Sequence, residues 1–143
     1  MRFPSREWCE LVAAAMLKEP AVIAALADFG AVVAGIVVER GAGLASDFCI
    51  LARIHPGRKV KLSYPQDEDE LEEYEPDYIA WAPYPLCRAL LETAFAGGRP
   101  DPLRAILERK VRLRGDLARL VRQSGRHQGA GLAALRAIST EFV

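Results

Sequence analysis

Residues 31–39 read AVVAGIVVE, and this stretch constrains the fold more than any other. Both alternating sets, Val32/Ala34/Ile36/Val38 and Val33/Gly35/Val37, are apolar or small. The stretch therefore reads as a central strand covered on two faces, not one with a solvated side. Gly35 within it is a candidate for a close approach. A strand of this kind needs paired neighbours, and the sequence supplies them. After the turn residues of ERGAGLASD, Phe48, Ile50, Ala52 and Ile54 alternate with Cys49, Leu51 and Arg53 in a second strand. A His-Pro-Gly turn follows, then Val60, Leu62 and Tyr64 alternate with Lys59, Lys61 and Ser63 in a third strand with one solvated face. YIAWA is a short fourth strand. In KVRLR, Val111 and Leu113 oppose Lys110, Arg112 and Arg114, which makes an edge strand whose charges discourage unwanted pairing.

Helical periodicity surrounds these strands. Ser5 is placed to cap a helix with Trp8, Leu11, Val12, Ala15 and Met16 on one stripe, and Pro20 ends it and starts a second with Ile23, Leu26 and Ala27 inward and Gly30 as terminator. Pro83 and Pro85 bracket the start of a helix carrying Cys87, Leu90, Leu91, Ala94 and Phe95, closed by Gly97-Gly98. Asp101-Pro102 opens a short helix through Leu103, Ile106 and Leu107. Asp116 caps another through Leu117, Leu120 and Val121, with Gly125 as its end. A final helix carries Leu132, Leu135, Ile138 and Phe142. Short turns predict antiparallel pairing in the three-strand meander, and the paired helices between strands four and five predict a crossover there. The layout is α+β with a single sheet, in one domain spanning residues 1–143.

Half of the 143 residues are apolar (51%) and 27% are charged, which is ordinary globular composition, suited to a monomer or a homodimer. Nineteen acids balance nineteen bases, so no global field attracts nucleic acid. The charge is unevenly spread: residues 67–77 hold eight acids and no base, which predicts a surface loop or short exposed helix. The start MRFPSREW has no apolar signal core and no apolar run could span a bilayer, so a cytoplasmic location is expected. Cys9, Cys49 and Cys87 sit apart in apolar patterns and read as buried thiols.

Polar chemistry is sparse. His55 and His127 lie in Pro/Gly-flanked turns without metal-site spacing, no serine has nucleophile-elbow context, and GAG at 41–43 precedes a strand and reads as a tight turn. Neither a catalytic constellation nor a cofactor or metal site is expected. Arg112, Arg114, Arg119 and Arg122 lie close enough on the fifth strand and its following helix to form a positive patch. That patch offers weak contact with an anionic membrane surface, or pairs with the acidic segment of the same chain or of a partner subunit; a solvated or intramolecular role is the favoured reading.

The apolar-faced first helix, the meander from AVVAGIVVE, the strand PDYIAWA, the segment LLETAFAGGRPDPLRAILERK and the block VRLRGDLARL occur in an order that resembles the sterol carrier protein 2 (SCP2) family. The acidic insertion and the proline-rich WAPYPL are departures from that pattern. The resemblance implies a mixed, mostly antiparallel five-stranded sheet with helices packed on one side. These would enclose an apolar tunnel for a sterol-like, fatty acyl or isoprenoid lipid, in a protein that binds or transfers lipid without catalysis. Periodicity alone favours a filled core, since interiors are close-packed; the resemblance favours a hollow one. The residues expected to line the tunnel are Ile36, Val38, Phe48 and Ile50 from the sheet, Leu103 and Leu107, and Leu117, Leu120, Val121, Leu132 and Leu135 on the closing side. A one-residue slip would exchange Val37 for Ile36 and Leu51 for Ile50. The alternatives are an accessory protein that holds a quinone precursor for other enzymes and a protein-interaction module with a filled core.

Overall fold

A computed structural model describes residues 1–55 and 60–143. Along the chain lie β1 (Arg2–Phe3), α1 (Arg6–Met16), α2 (Pro20–Phe29), β2 (Val32–Glu39), β3 (Phe48–Ile54), β4 (Lys61–Ser63), α3 (Glu68–Glu73), β5 (Tyr78–Pro83), α4 (Tyr84–Phe95), α5 (Pro102–Leu107), β6 (Arg112–Arg114), α6 (Leu117–Arg126), α7 (Leu132–Arg136) and β7 (Glu141–Phe142). Much of the expected His-Pro-Gly turn, and Lys59 of the third strand, fall on residues 56–59, outside the described residues.

The architecture is α+β. Five strands form one mixed sheet in the order β4-β3-β2-β5-β6, with AVVAGIVVE at its middle. The meander β2-β3-β4 is antiparallel, as its short turns predict. Beyond it the chain crosses over through α3, and β5 lies parallel to β2 on the far side. The crossover thus falls one connection earlier than predicted. β5 and β6 are antiparallel neighbours although α4 and α5 separate them.

Both faces of the central strand are covered, by different means. On one face Val37, Cys49, Leu51, Ile79 and Trp81 pack beneath Leu71 of α3, all at most 8% exposed. The acidic segment is therefore a surface helix, capped by Asp67 accepting from the Glu70 N–H, with one apolar anchor driven into the sheet. Its other residues repel one another into solvent. Leu71 lies over Gly35, where a Cβ would sit 3.0 Å from Leu71 Cδ1; this is the close approach that the glycine marks. The remaining helices lie on the opposite face, so α3 is the addition to a sheet otherwise covered from one side.

On that opposite face Val38 joins Phe3, Trp8, Cys9, Val12, Tyr84, Ala94 and Leu135 in the main core. Ser5 caps α1 by accepting from the Trp8 N–H at 3.1 Å. The buried stripe of α1 is Trp8, Cys9 and Val12, while Leu11 is exposed. The last seven residues do not continue the helix. α7 stops at Arg136, and Glu141 and Phe142 pair in parallel with Arg2 and Phe3. The β-branched and aromatic residues of TEFV favour this extended end, and Phe142 reaches the core from a strand and not from a helix. α6 likewise runs through Gly125 to Arg126.

Candidate functional site

The site is built on the block RGDL at 114–117. Gly115 has φ +137, and a Cβ there would lie 2.4 Å from the Tyr78 ring and 2.7 Å from the Asp77 carbonyl oxygen, so only glycine fits. Asp116 then caps α6 by accepting from the Arg119 N–H at 3.0 Å, while the Tyr78 hydroxyl donates to the Asp116 carbonyl at 3.0 Å. Burial pushes the Tyr78 phenol pKa upward, so it stays a donor at neutral pH. The gain from running a basic strand into a helix is thus a fixed launch point for α6.

From that point α6 reaches back to the end of α2. The Arg119 guanidinium donates to the Phe29 carbonyl and stacks 5.5 Å from the Phe29 ring, and Gln123 Nε2 donates to the Asp28 carbonyl at 2.9 Å. These side chains satisfy carbonyls left unpaired at the C-terminus of α2. His127 Nε2 and Arg126 approach the Asp28 carboxylate at 2.9 and 3.6 Å. α2 itself is apolar along almost its whole length, yet none of its residues is buried and Ile23 is 45% exposed.

Such loose coverage leaves space. Ala25 and Phe29 of α2, Pro100, Leu103 and Ile106 around α5, Leu120 and Ser124 of α6, residues 127–130 and Leu132 bound a cavity of about 710 Å³. Ile106 packs against the small cluster of Ala82, Ala105 and Val111, and Leu132 against the main core, so the cavity lies between the two. The sheet is also left partly open. Ile36 pairs with Ile50 on one side and Ala80 on the other, at the centre of the middle strand, and is nevertheless 42% exposed. With both ladder edges occupied, that exposure arises from the helix layer failing to close over it.

The structure brings three of the expected tunnel residues, Leu103, Leu120 and Leu132, onto the cavity wall. Ile36 faces the helix side as open sheet surface and does not line the cavity. Val38 and Leu135 are buried in the main core, with Phe48 and Ile50 packed against it, because aromatic residues from both chain ends fill that region. Val37 and Leu51 belong to the opposite, closed face. Leu107 ends α5 and projects into solvent at 60% exposure, and Leu117 and Val121 are exposed as well. Arg119 and Gln123 explain the latter: their hold on α2 turns the Leu120/Gln123/Ser124 stripe inward. Ala25, Phe29, Ile106 and residues 127–130 were not expected in the wall; the one signal for them is that α2 lacks a polar face.

Of the four arginines expected to form a patch, three are engaged within the chain. Arg112 lies 4.9 Å from the Trp81 ring centroid and 3.5 Å from Glu39. Arg114 grips Glu72 of the acidic helix through both carboxylate oxygens at 2.8 and 2.9 Å, and Arg119 holds Phe29. Arg122 has no ion pair among the described residues. Burial pushes the thiol of Cys9 up to about 12 and those of Cys49 and Cys87 up to about 11, so all three are protonated and poorly nucleophilic at neutral pH. Among the described residues no cluster of His, Cys, Asp and Glu is arranged to hold a metal ion, and no helix is long and apolar enough to cross a membrane.

No family model matches the sequence, and no curated protein matches it closely enough to count. Solved structures do match in shape. A conserved hypothetical protein from Thermus thermophilus, put forward as a sterol carrier protein, superposes with a TM-score of 0.68 at 12% identity over 96% of this chain and 90% of that one. A crystal structure of sterol carrier protein 2 gives 0.67 at 14% identity over 94% and 98%. A UbiJ-SCP2 ubiquinone synthesis protein gives 0.50 at 15% over 83% and 90%.

Proposed function

With the fold of sterol carrier protein 2 as the premise, we propose that the protein is a non-enzymatic lipid carrier that holds a long-chain lipid in the cavity between α2, α5, α6 and α7. The observation that carries this reading is the cavity itself. Its volume falls within the range of small-molecule sites, and Phe29, Leu103, Ile106, Leu120 and Leu132 give it an apolar wall. Each methylene moved there from water contributes roughly 0.8 kcal/mol, so part of an acyl chain suffices for useful binding. Arg99, Asp101, Gln123, Ser124, His127 and Gln128 also border the cavity, so a lipid's polar end has partners at the rim while its chain lies on the apolar wall, and selectivity among chains is loose. The protonated thiols and the structural roles of Asp28, Asp116 and His127 support binding without chemistry. Ile36 extends the apolar surface available on the sheet side. The same reading makes the protein a soluble single-domain carrier.

Likeness to a ubiquinone synthesis protein favours one variant of this reading, in which the lipid is an isoprenoid quinone precursor presented to other enzymes. Native mass spectrometry of the purified protein, followed by lipid extraction, separates an acyl or sterol cargo from an isoprenoid one. Saturable uptake of a fluorescent fatty acid that Leu120→Arg abolishes, with the circular dichroism spectrum unchanged, is the expected result. A folded protein that takes up no lipid returns the fold to the filled-core interaction module.

A further inference from the structure

Residues 127–131 join α6 to α7 and form part of the cavity wall, with His127, Gln128, Gly129 and Ala130 all lining it. No residue from 127 to 130 is buried, so packing does little to hold this segment down. Carboxylates fasten it instead, one at each end. At its start His127 Nε2 meets Asp28 Oδ2 at 2.9 Å, with Arg126 at 3.6 Å from the other oxygen. At its finish Glu19 accepts from the Gly131 N–H at 3.0 Å and from the Ala134 N–H at 2.9 Å. Both carboxylates belong to α2 or its cap, so the segment is strapped along one helix.

The two fastenings differ in strength of support. Beyond Gly131 the chain is anchored again, since Arg136 donates to the carbonyls of Ala94 at 2.7 Å and Gly98 at 2.8 Å, and Leu135 is in the core. On the other side the last turn of α6 contains Gly125, a weak helix former, and Arg126 is 67% exposed. α2 is itself held at its far end by the covalent link through Gly30 to the buried Val32. The element free to move is therefore the strap, and the end free to lift is the one at His127.

We propose that residues 127–131 are a hinged strap gating the cavity, with Asp28 as the latch on His127 and Glu19 as the fixed pivot at Gly131. The inference rests on the cavity being the lipid site. Opening frays the last turn of α6, separates His127 and Arg126 from Asp28, and uncovers Leu120 and Phe29. A bound lipid enters and leaves by that gap.

The gate is tested without lipid. Leu120→Cys places a thiol behind the strap, and its labelling by a maleimide is followed by peptide mapping, which separates it from the three native cysteines. Asp28→Asn in that background is expected to raise the labelling rate on the order of five- to tenfold, the factor one or two such charge-assisted contacts control. Backbone amides of 128–130 should exchange faster by a similar factor while those of Val37 and Leu51 keep their protection. His127→Ala, which removes the donor and leaves the Asp28 carboxylate in place, should give the same result and decides the matter if Asp28→Asn does not fold. Unchanged labelling in the folded variants overturns the gate. In the lipid arm, association and dissociation rates of a fluorescent fatty acid should rise together with little change in affinity. If the fatty acid binds neither protein, the carrier reading falls, and the labelling still decides the strap.

Discussion

Leu71 of the acidic helix sits directly over Gly35 of the central strand, its terminal methyl carbons 3.0 and 3.1 Å from where a Cβ would be, and is wholly buried. One leucine thus seals the closed face of the sheet. Leu71→Ala is expected to cost about 2–5 kcal/mol, the range for emptying a packed leucine site. Gly35→Ala should destabilise on its own by about 1–3 kcal/mol through overpacking. The double variant should lose less than the sum, because truncating Leu71 makes room for the new methyl. Urea unfolding of the four proteins measures the cycle; strict additivity would show that the two residues do not meet.

Ile36 and Val37 are neighbours in one strand with opposite fates, 42% and 0% exposed. Ile36→Glu is therefore expected to leave a folded protein whose melting temperature moves by only a few degrees, whereas Val37→Glu should fail to fold. If the lipid lies against the sheet, Ile36→Glu also weakens fatty acid uptake by about tenfold or more. Thermal melts and fluorescence titration read the two effects separately.

The raised thiol pKa values predict how stability depends on alkaline pH. Folding holds Cys9, Cys49 and Cys87 in the protonated form, with pKa about 12, 11 and 11 against an ordinary 9.0, so between these values the native state binds more protons than the unfolded one. The contribution is complete below pH 9 and is lost as pH rises through 9 to 11 and beyond. Denaturant midpoints that fall steadily above pH 9 are expected, and replacing all three cysteines by alanine should flatten that part of the curve.

Gly115→Ala is predicted to be among the most damaging single-methyl additions in the chain. The new Cβ would meet the Tyr78 ring and the Asp77 carbonyl at a backbone angle that alanine resists. A loss of several kcal/mol, with the Tyr78 environment altered in near-ultraviolet circular dichroism, is the expected outcome.

Removing residues 140–143 takes away the Thr140 hydroxyl that accepts from Trp8 Nε1 at 2.9 Å, the Val143 carbonyl that accepts from the Tyr84 hydroxyl at 3.0 Å, and the Phe142 ring beside Phe3. The shortened protein should melt about 10 °C lower, since two partly buried hydrogen bonds and an aromatic contact go together. Differential scanning calorimetry checks it.

Where a residue's fate depended on its own strand, the sequence was legible. The doubly apolar pattern of 31–39, the glycine within it and the antiparallel meander all follow from local periodicity and turn chemistry. The caps Ser5, Asp101 and Asp116 follow in the same way. What local pattern does not carry is partnership across the chain. Leu71 is a lone apolar residue among acids and gives no period to read. The pairing of β1 with β7 joins residues nearly the whole chain apart. Around α6 the apolar pattern points Leu117 and Val121 inward, whereas Arg119 and Gln123, polar by any scale, are the side chains that reach α2. Hydrophobic periodicity assigns them to solvent and turns the helix by about one residue.

The short parallel pair of β1 and β7 makes the docking of the first helix a late folding contact. Trp8 bonds Thr140 across 132 positions, and Phe3 meets Phe142 over a similar separation, so closing that loop costs more chain entropy than any hairpin of the sheet. The meander can pair before this contact forms, and the first helix completes its surroundings only after it.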